Sequence, residues 1–150
     1  MFQSIVVGTD GSSRARGAVK IAAEMARAHG AVLHVVQAYR PSSQYAAALP
    51  AAEGLAVMSP QTDAELHDDV TAGLENLAIE LKRDGIDVQC HACGRAAASA
   101  ILDIATTQEA DLIVVGDKGM HGARRVLGSV PNTVAHQANC AVMIVPTGAA

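Results

Sequence analysis

Aromatic side chains are nearly missing from this chain: one Phe, two Tyr and no Trp in 150 residues. A core of stacked rings is therefore excluded, and the interior has to be built from Val, Ile, Leu and Ala packed closely between layers. Cysteine is also scarce and odd in number, at three, and the opening MFQSIVVGTD has no basic segment followed by a long apolar stretch. Neither a disulfide framework nor a secretory signal is expected. No apolar run approaches the ~20 residues of a membrane span. Charge is light and slightly acidic, 11 Lys and Arg against 15 Asp and Glu for a net of -4, with no basic run that could serve as a nucleic-acid arm. The expectation is a soluble cytoplasmic protein that binds no nucleic acid, and residues 1–150 have the length of one domain with one core.

What is present is an alternation of short apolar runs and helical periods. Ser4–Val7 reads as a strand ending at Gly8-Thr9-Asp10-Gly11-Ser12, and from Ser13 the positions Ala15, Val19, Ala22 and Ala26 recur at helical spacing up to Gly30. Ala31–Val36 is a second strand. Leu66, Val70, Leu74, Leu77 and Leu81 mark an amphipathic helix stopping near Gly85. Ile86–Ala92 follows as strand three, Ala97–Gln108 as a helix, Leu112–Val115 as strand four, about Ser129 to Gln137 as a helix that tolerates Pro131 in its first turn, and Ala141–Val145 as strand five. Runs such as LIVV and VMIV are apolar throughout, which means burial on both faces and hence a parallel, doubly wound α/β sheet with helices on each side. Arg40–Gln61 interrupts this rhythm with three prolines and little amphipathic period; it reads equally as a lid or as a plain insertion.

In open sheets of this kind ligands bind beyond the carboxyl ends of the strands, so the residues just after each strand matter most. After strand one stands Asp10, either serving first-turn N–H groups of the helix or contacting a ligand; after strand two comes Val35–Tyr39, and after strand three Gly94-Arg95. After strand four, Gly116, Gly119 and Gly122 let backbone N–H groups approach an anion, Gly128-Ser129 stands where a helix begins, and Lys118, Arg124 and Arg125 add positive charge. A phosphate site and a merely solvated glycine turn both fit this local chemistry, and His121 within it is either a phosphate donor or solvated. Neither a G-x-x-x-x-G-K-[ST] loop nor a G-x-G-x-x-G after strand one is present. Cys90, His91 and Cys93 suggest a metal, but on a strand Cys90 and Cys93 point to opposite faces, so the expectation is a core Cys90, an edge Cys93 and no metal. No acid-base pair or catalytic triad can be assigned.

Taken together, IVVGTDGS, VLHVV, ADLIVVGDKG and GARRVLGSVPNTVAHQANCAVMIV resemble the universal stress protein family over essentially the whole chain. The resemblance implies strand order 3-2-1-4-5 and an adenine-nucleotide site. In that site Asp10 and the backbone of Val35 lie beside the adenine, Gly116, Lys118 and Gly119 near ribose and phosphates, and Gly128, Ser129 and Val130 along the phosphate chain, with Thr9 among the binding residues. Gly122 and Arg124 belong to the same loop. It also implies a homodimer joined through Ala141–Val145, for which the exposed edge of a last strand gives a separate physical reason. The family motif has about nine residues between its second and third glycines, whereas Met120–Leu127 supplies eight, and GRAAASAIL lacks a proline common near the third helix. The expected ligand is ATP, with or without Mg²⁺, ahead of cyclic AMP or AMP. The expected role is stress response or signalling through nucleotide-dependent conformation or partner choice; a slow ATPase or phosphotransferase and a nucleotide-free interaction module are the alternatives.

Overall fold

The computed structural model describes residues 1–41, 61–118 and 129–147. The Arg40–Gln61 insertion lies almost wholly outside them, as do Gly119, Gly122, Arg124 and Gly128 of the glycine loop. Among the described residues the elements run β1 (Ser4–Thr9), α1 (Ala15–His29), β2 (Val32–Ala38), α2 (Asp63–Arg83), β3 (Val88–Cys93), α3 (Ala97–Thr107), β4 (Leu112–Gly116), α4 (Val130–Gln137) and β5 (Ala141–Val145). The five strands are all parallel, in the order β3-β2-β1-β4-β5. Strand order reverses between β1 and β4, so the carboxyl ends of these two neighbours form the switch point at which such sheets bind ligands.

Alternate residues of each strand feed two cores. Ile5, Val7, Leu33, Val35, Val88, Leu112 and Val114 face α1 and α2, while Val6, Val36, Ile113 and Val115 face α3 and α4. Burial on both faces is why these strands read as unbroken apolar runs. Helix α1 turns Ala18, Val19, Ala22, Ala23 and Ala26 to the sheet, and these small side chains let its backbone lie close on β1. It stops at Gly30, whose left-handed φ of 66° lets its N–H return to the carbonyl of Ala26. Helix α2 starts from a capping box: the Thr62 side chain accepts from Glu65 N at 3.2 Å, and the Glu65 carboxylate accepts from Thr62 N at 2.7 Å. Pro131 occupies the first turn of α4, as expected.

Strand boundaries differ from the sequence expectation in one direction. β1 continues through Gly8 and Thr9 because both still pair with β2, at Val36 and Gln37. β3 begins only at Val88, because the N–H of Ile86 is taken by the carbonyl of Leu81 in the turn that closes α2. Ile86 is buried all the same, which is why it reads as part of an apolar strand.

Candidate functional site

At the switch point the chain leaves β1 through Thr9-Asp10-Gly11-Ser12. Thr9 Oγ1 accepts from Gly11 N at 3.1 Å and Asp10 Oδ1 from Ser12 N at 3.0 Å. Gly11 has φ 76°, a conformation that costs an ordinary L residue roughly 1–2 kcal/mol. Asp10 does not cap α1, which starts five residues later at Ala15; the N–H of Ala15 goes instead to Ser12 Oγ at 3.3 Å. The carboxylate is thereby left at the sheet edge, where its Oδ2 accepts from Lys118 Nζ at 3.0 Å, across 108 residues of sequence. The Ser12 side chain, opposed by partial burial and helped by the Ser12 backbone and by Lys118, holds the Asp10 carboxyl down at about 2. Asp10 is therefore ionised throughout the physiological range.

The pair is solvated, with 85% of the Lys118 side chain and 45% of the Asp10 side chain exposed. Such a pair contributes at most about 1 kcal/mol to stability. Its significance is positional: a cation and an anion sit side by side where β1 and β4 end.

Beside them a hollow of about 860 Å³ runs between α1 and α2, within the range of ligand cavities, roughly 300–1,000 Å³. Thr9, Asp10, Gly11 and Gln37 stand at its sheet end, Val19 and Leu74 contribute apolar surface, and its charges are mixed, Arg16, Lys20 and Arg27 of α1 against Glu24, Asp69, Glu80 and Asp84. Gln37, level with Thr9 in the β1–β2 register, packs so near Gly11 that a Cβ there would lie 3.1 Å from its Nε2. Val35 lies two residues earlier in β2, between Val7 of β1 and Cys90 of β3, and the whole residue is without exposed surface. Gly116 closes β4 opposite Val145, and a Cβ on it would meet Thr147 Cγ2 at 2.6 Å. Close packing within the protein is thus a sufficient reason for glycine there. Ser129 is the N-cap of α4, extended at φ −61° and ψ 148°, and Val130 packs against the α3–α4 core.

Thr9, Asp10, Gly116 and Lys118 are thus brought to one edge. Gln37, Arg16 and Lys20 were not singled out by sequence reasoning. Strand register would have found Gln37, and the i, i+4 spacing of Arg16 and Lys20 places them together on one side of α1.

The Cys90-His91-Ala92-Cys93 stretch separates as its strand geometry requires. Cys90 packs on the α1–α2 side and donates to the Leu74 carbonyl at 3.5 Å, while Cys93 packs on the opposite face. His91 turns its Nε2 to Nδ1 of buried His34 at 3.1 Å, with ring centroids 5.4 Å apart. That separation equals the N···N distance plus about one ring radius on each side, so the imidazoles meet nearly head-on, one nitrogen donating to the other. Burial lowers the pKa of both, and for His34 the facing His91 lowers it further while Asp87 opposes. Among the described residues no three metal-ligating side chains gather, and no helix is long and apolar enough to cross a membrane.

Residues 1–146 match the universal stress protein family model. The chain belongs to the universal stress protein family. A universal stress protein of Thermus aquaticus is 35% identical over 146 residues, covering 97% of this chain and 99% of the relative. One from Mycobacterium tuberculosis is 33% identical over 149 residues, covering 97% of each. Among solved structures, a universal stress protein in complex with cAMP superimposes with a TM-score of 0.75 at 30% identity, covering 98% of both chains. The universal stress protein of Archaeoglobus fulgidus in complex with dAMP, at a TM-score of 0.68 and 23% identity over 95% of this chain and 96% of that one, shares the fold. The five-stranded parallel sheet in order 3-2-1-4-5 is thus the fold of a universal stress protein domain.

Proposed function

We propose that this universal stress protein binds an adenine nucleotide, with ATP preferred, at the β1–β4 switch point, and acts through nucleotide-dependent conformation or partner choice rather than through fast chemistry. The observation that carries this is the Asp10–Lys118 pair where β1 and β4 end, with Asp10 also lining the α1–α2 hollow. Lys118 Nζ has three donors, and a phosphate oxygen can take one without displacing Asp10. On this reading Asp10 borders the adenine above the buried Val35, Gly116, Lys118 and Gly119 the ribose and phosphates, and Gly128, Ser129 and Val130 the phosphate chain, with Thr9, Gly122 and Arg124 in the same site. Any Mg²⁺ would arrive on the phosphates of ATP, the usual way this ion is held beside nucleotides, since the described residues form no cage for it.

Isothermal titration of nucleotide-free protein should give saturable heat with ATP, weakened at least tenfold by Lys118→Met and abolished by Gly119→Val or Gly128→Val. No heat with ATP, ADP, AMP or cyclic AMP would refute nucleotide binding. Cyclic AMP is the second reading, favoured by the 30% identical relative solved with it; competition between the two ligands ranks them. For the dimer we infer pairing through Ala141–Val145, where half-buried Val142, Met143 and Ile144 lie on an edge strand. Light scattering that returns a monomer mass at tens of micromolar protein would overturn that. Three free thiols, Cys90, Cys93 and Cys140, suit a reducing compartment and favour the cytoplasm.

A further inference from the structure

Asp117, the residue between Gly116 and Lys118, is buried to 6% exposure. A carboxyl group withdrawn from water to that extent is costly unless donors meet it. Thr147, two residues past the end of β5, supplies two: its N–H reaches Asp117 Oδ1 at 2.7 Å and its hydroxyl reaches the same oxygen at 2.5 Å. The N–H of Asp117 in turn donates to the Val145 carbonyl at 2.9 Å. The methyl of Thr147 fills the space over Gly116 that a Cβ would occupy. One side chain therefore engages two consecutive residues, with its methyl on Gly116 and its hydroxyl on Asp117, immediately before the lysine that reaches Asp10.

We propose that Thr147 is a positioning residue of the nucleotide site, acting through Asp117 to fix the point at which β4 hands the chain to Lys118. The inference rests on the nucleotide reading above. Lys118 has a long, exposed stem, so the placement of its ammonium depends on a fixed backbone at its root. If Thr147 favours the binding geometry, thermodynamic reciprocity requires bound nucleotide to tighten the Thr147 contact in return.

Thr147→Val keeps the shape, the methyl and the N–H but removes the hydroxyl donor, whereas Thr147→Ser keeps both donors. Titration with ATP should give about 5-fold or more weaker binding for the Val variant and a Kd within about twofold of wild type for the Ser variant. In the wild type, hydrogen exchange at the Thr147 amide should slow when ATP saturates the protein. If the wild type binds ATP but both variants match it, or if ATP leaves Thr147 exchange unchanged, the positioning role is overturned and the nucleotide site stands. If the wild type binds no adenine nucleotide at all, both are overturned. The exchange measurement decides alone if the Val variant does not fold.

Discussion

Gly8 offers a test of how tightly the layer beneath the site is packed. It sits in β1 two residues before Asp10, and a Cβ added to it would lie 2.5 Å from Ile101 Cδ1, 3.3 Å from Ile101 Cγ1 and 3.8 Å from Val115 Cγ1. Carbon atoms rest at about 3.5–4.0 Å, so Ile101 would have to retreat by roughly 1 Å. It is only 3% exposed and has no solvent to swing into. Overpacking of this kind costs about 1–3 kcal/mol, partly offset by the ~0.5 kcal/mol that an alanine gains by restricting the unfolded chain. Gly8→Ala should therefore lose about 1–2 kcal/mol in urea unfolding at fixed protein concentration. Ile101→Val removes the clashing Cδ1 and alone should cost ~0.5–1.5 kcal/mol. In the double variant the losses should fall short of their sum by about 1 kcal/mol, because the valine makes room for the new methyl. A cycle additive to within about 0.5 kcal/mol, or a Gly8→Ala protein as stable as wild type, refutes the clash.

Three further outcomes follow from the same coordinates. Asp10 should titrate at about 2 by carbon-detected NMR, and Ser12→Ala should raise it more than Lys118→Met does; since its folded pKa lies below the unfolded value, whatever stability it lends is present above about pH 4 and lost as pH falls towards 2. His34 and His91 both have lowered pKa values, so the unfolded chain binds more protons than the folded one just below the ordinary value of about 6.5; the urea midpoint should be lower at pH 5.5 than at 7.5, and replacing both with Gln should flatten that difference. Thr62→Ala breaks the capping box of α2 and should cost about 1 kcal/mol, with faster amide exchange confined to the first turn of α2.

Much of the fold was legible because burial on both faces leaves a plain trace: the apolar LIVV and VMIV mark β4 and β5, and the Leu66-to-Leu81 period marks α2. Boundaries were less so. Ile86 is apolar because it is buried, yet its N–H belongs to the turn that ends α2, and composition does not distinguish the two. Asp10 and Lys118 were each recognisable as residues just past a strand, but their meeting depends on β4 lying next to β1, which local pattern does not carry and the family resemblance did. Gln37 lay unremarked within the Val35–Tyr39 stretch, and Thr147 left no signal. One takes its place from the register of β1 on β2, the other from a contact with Asp117 across 30 residues.

The two carboxylates at this sheet edge divide the work according to burial. Asp117 is buried and meets its Thr147 donors inside the protein, where breaking a hydrogen bond at a buried polar group costs about 1–3 kcal/mol. Asp10 is half in water and holds Lys118 by a contact worth at most about 1 kcal/mol, using one of the three ammonium donors. The lysine can therefore serve carboxylate and phosphate together while its root stays fixed. Because Asp10 is already ionised well below neutrality and the pair it forms with Lys118 is solvated, the charges at this edge are screened by salt. Nucleotide affinity should accordingly fall as ionic strength rises from 0.05 to 0.5 M, and Lys118→Met should flatten that dependence; an equal salt slope in both proteins would mean that Lys118 does not engage the phosphates.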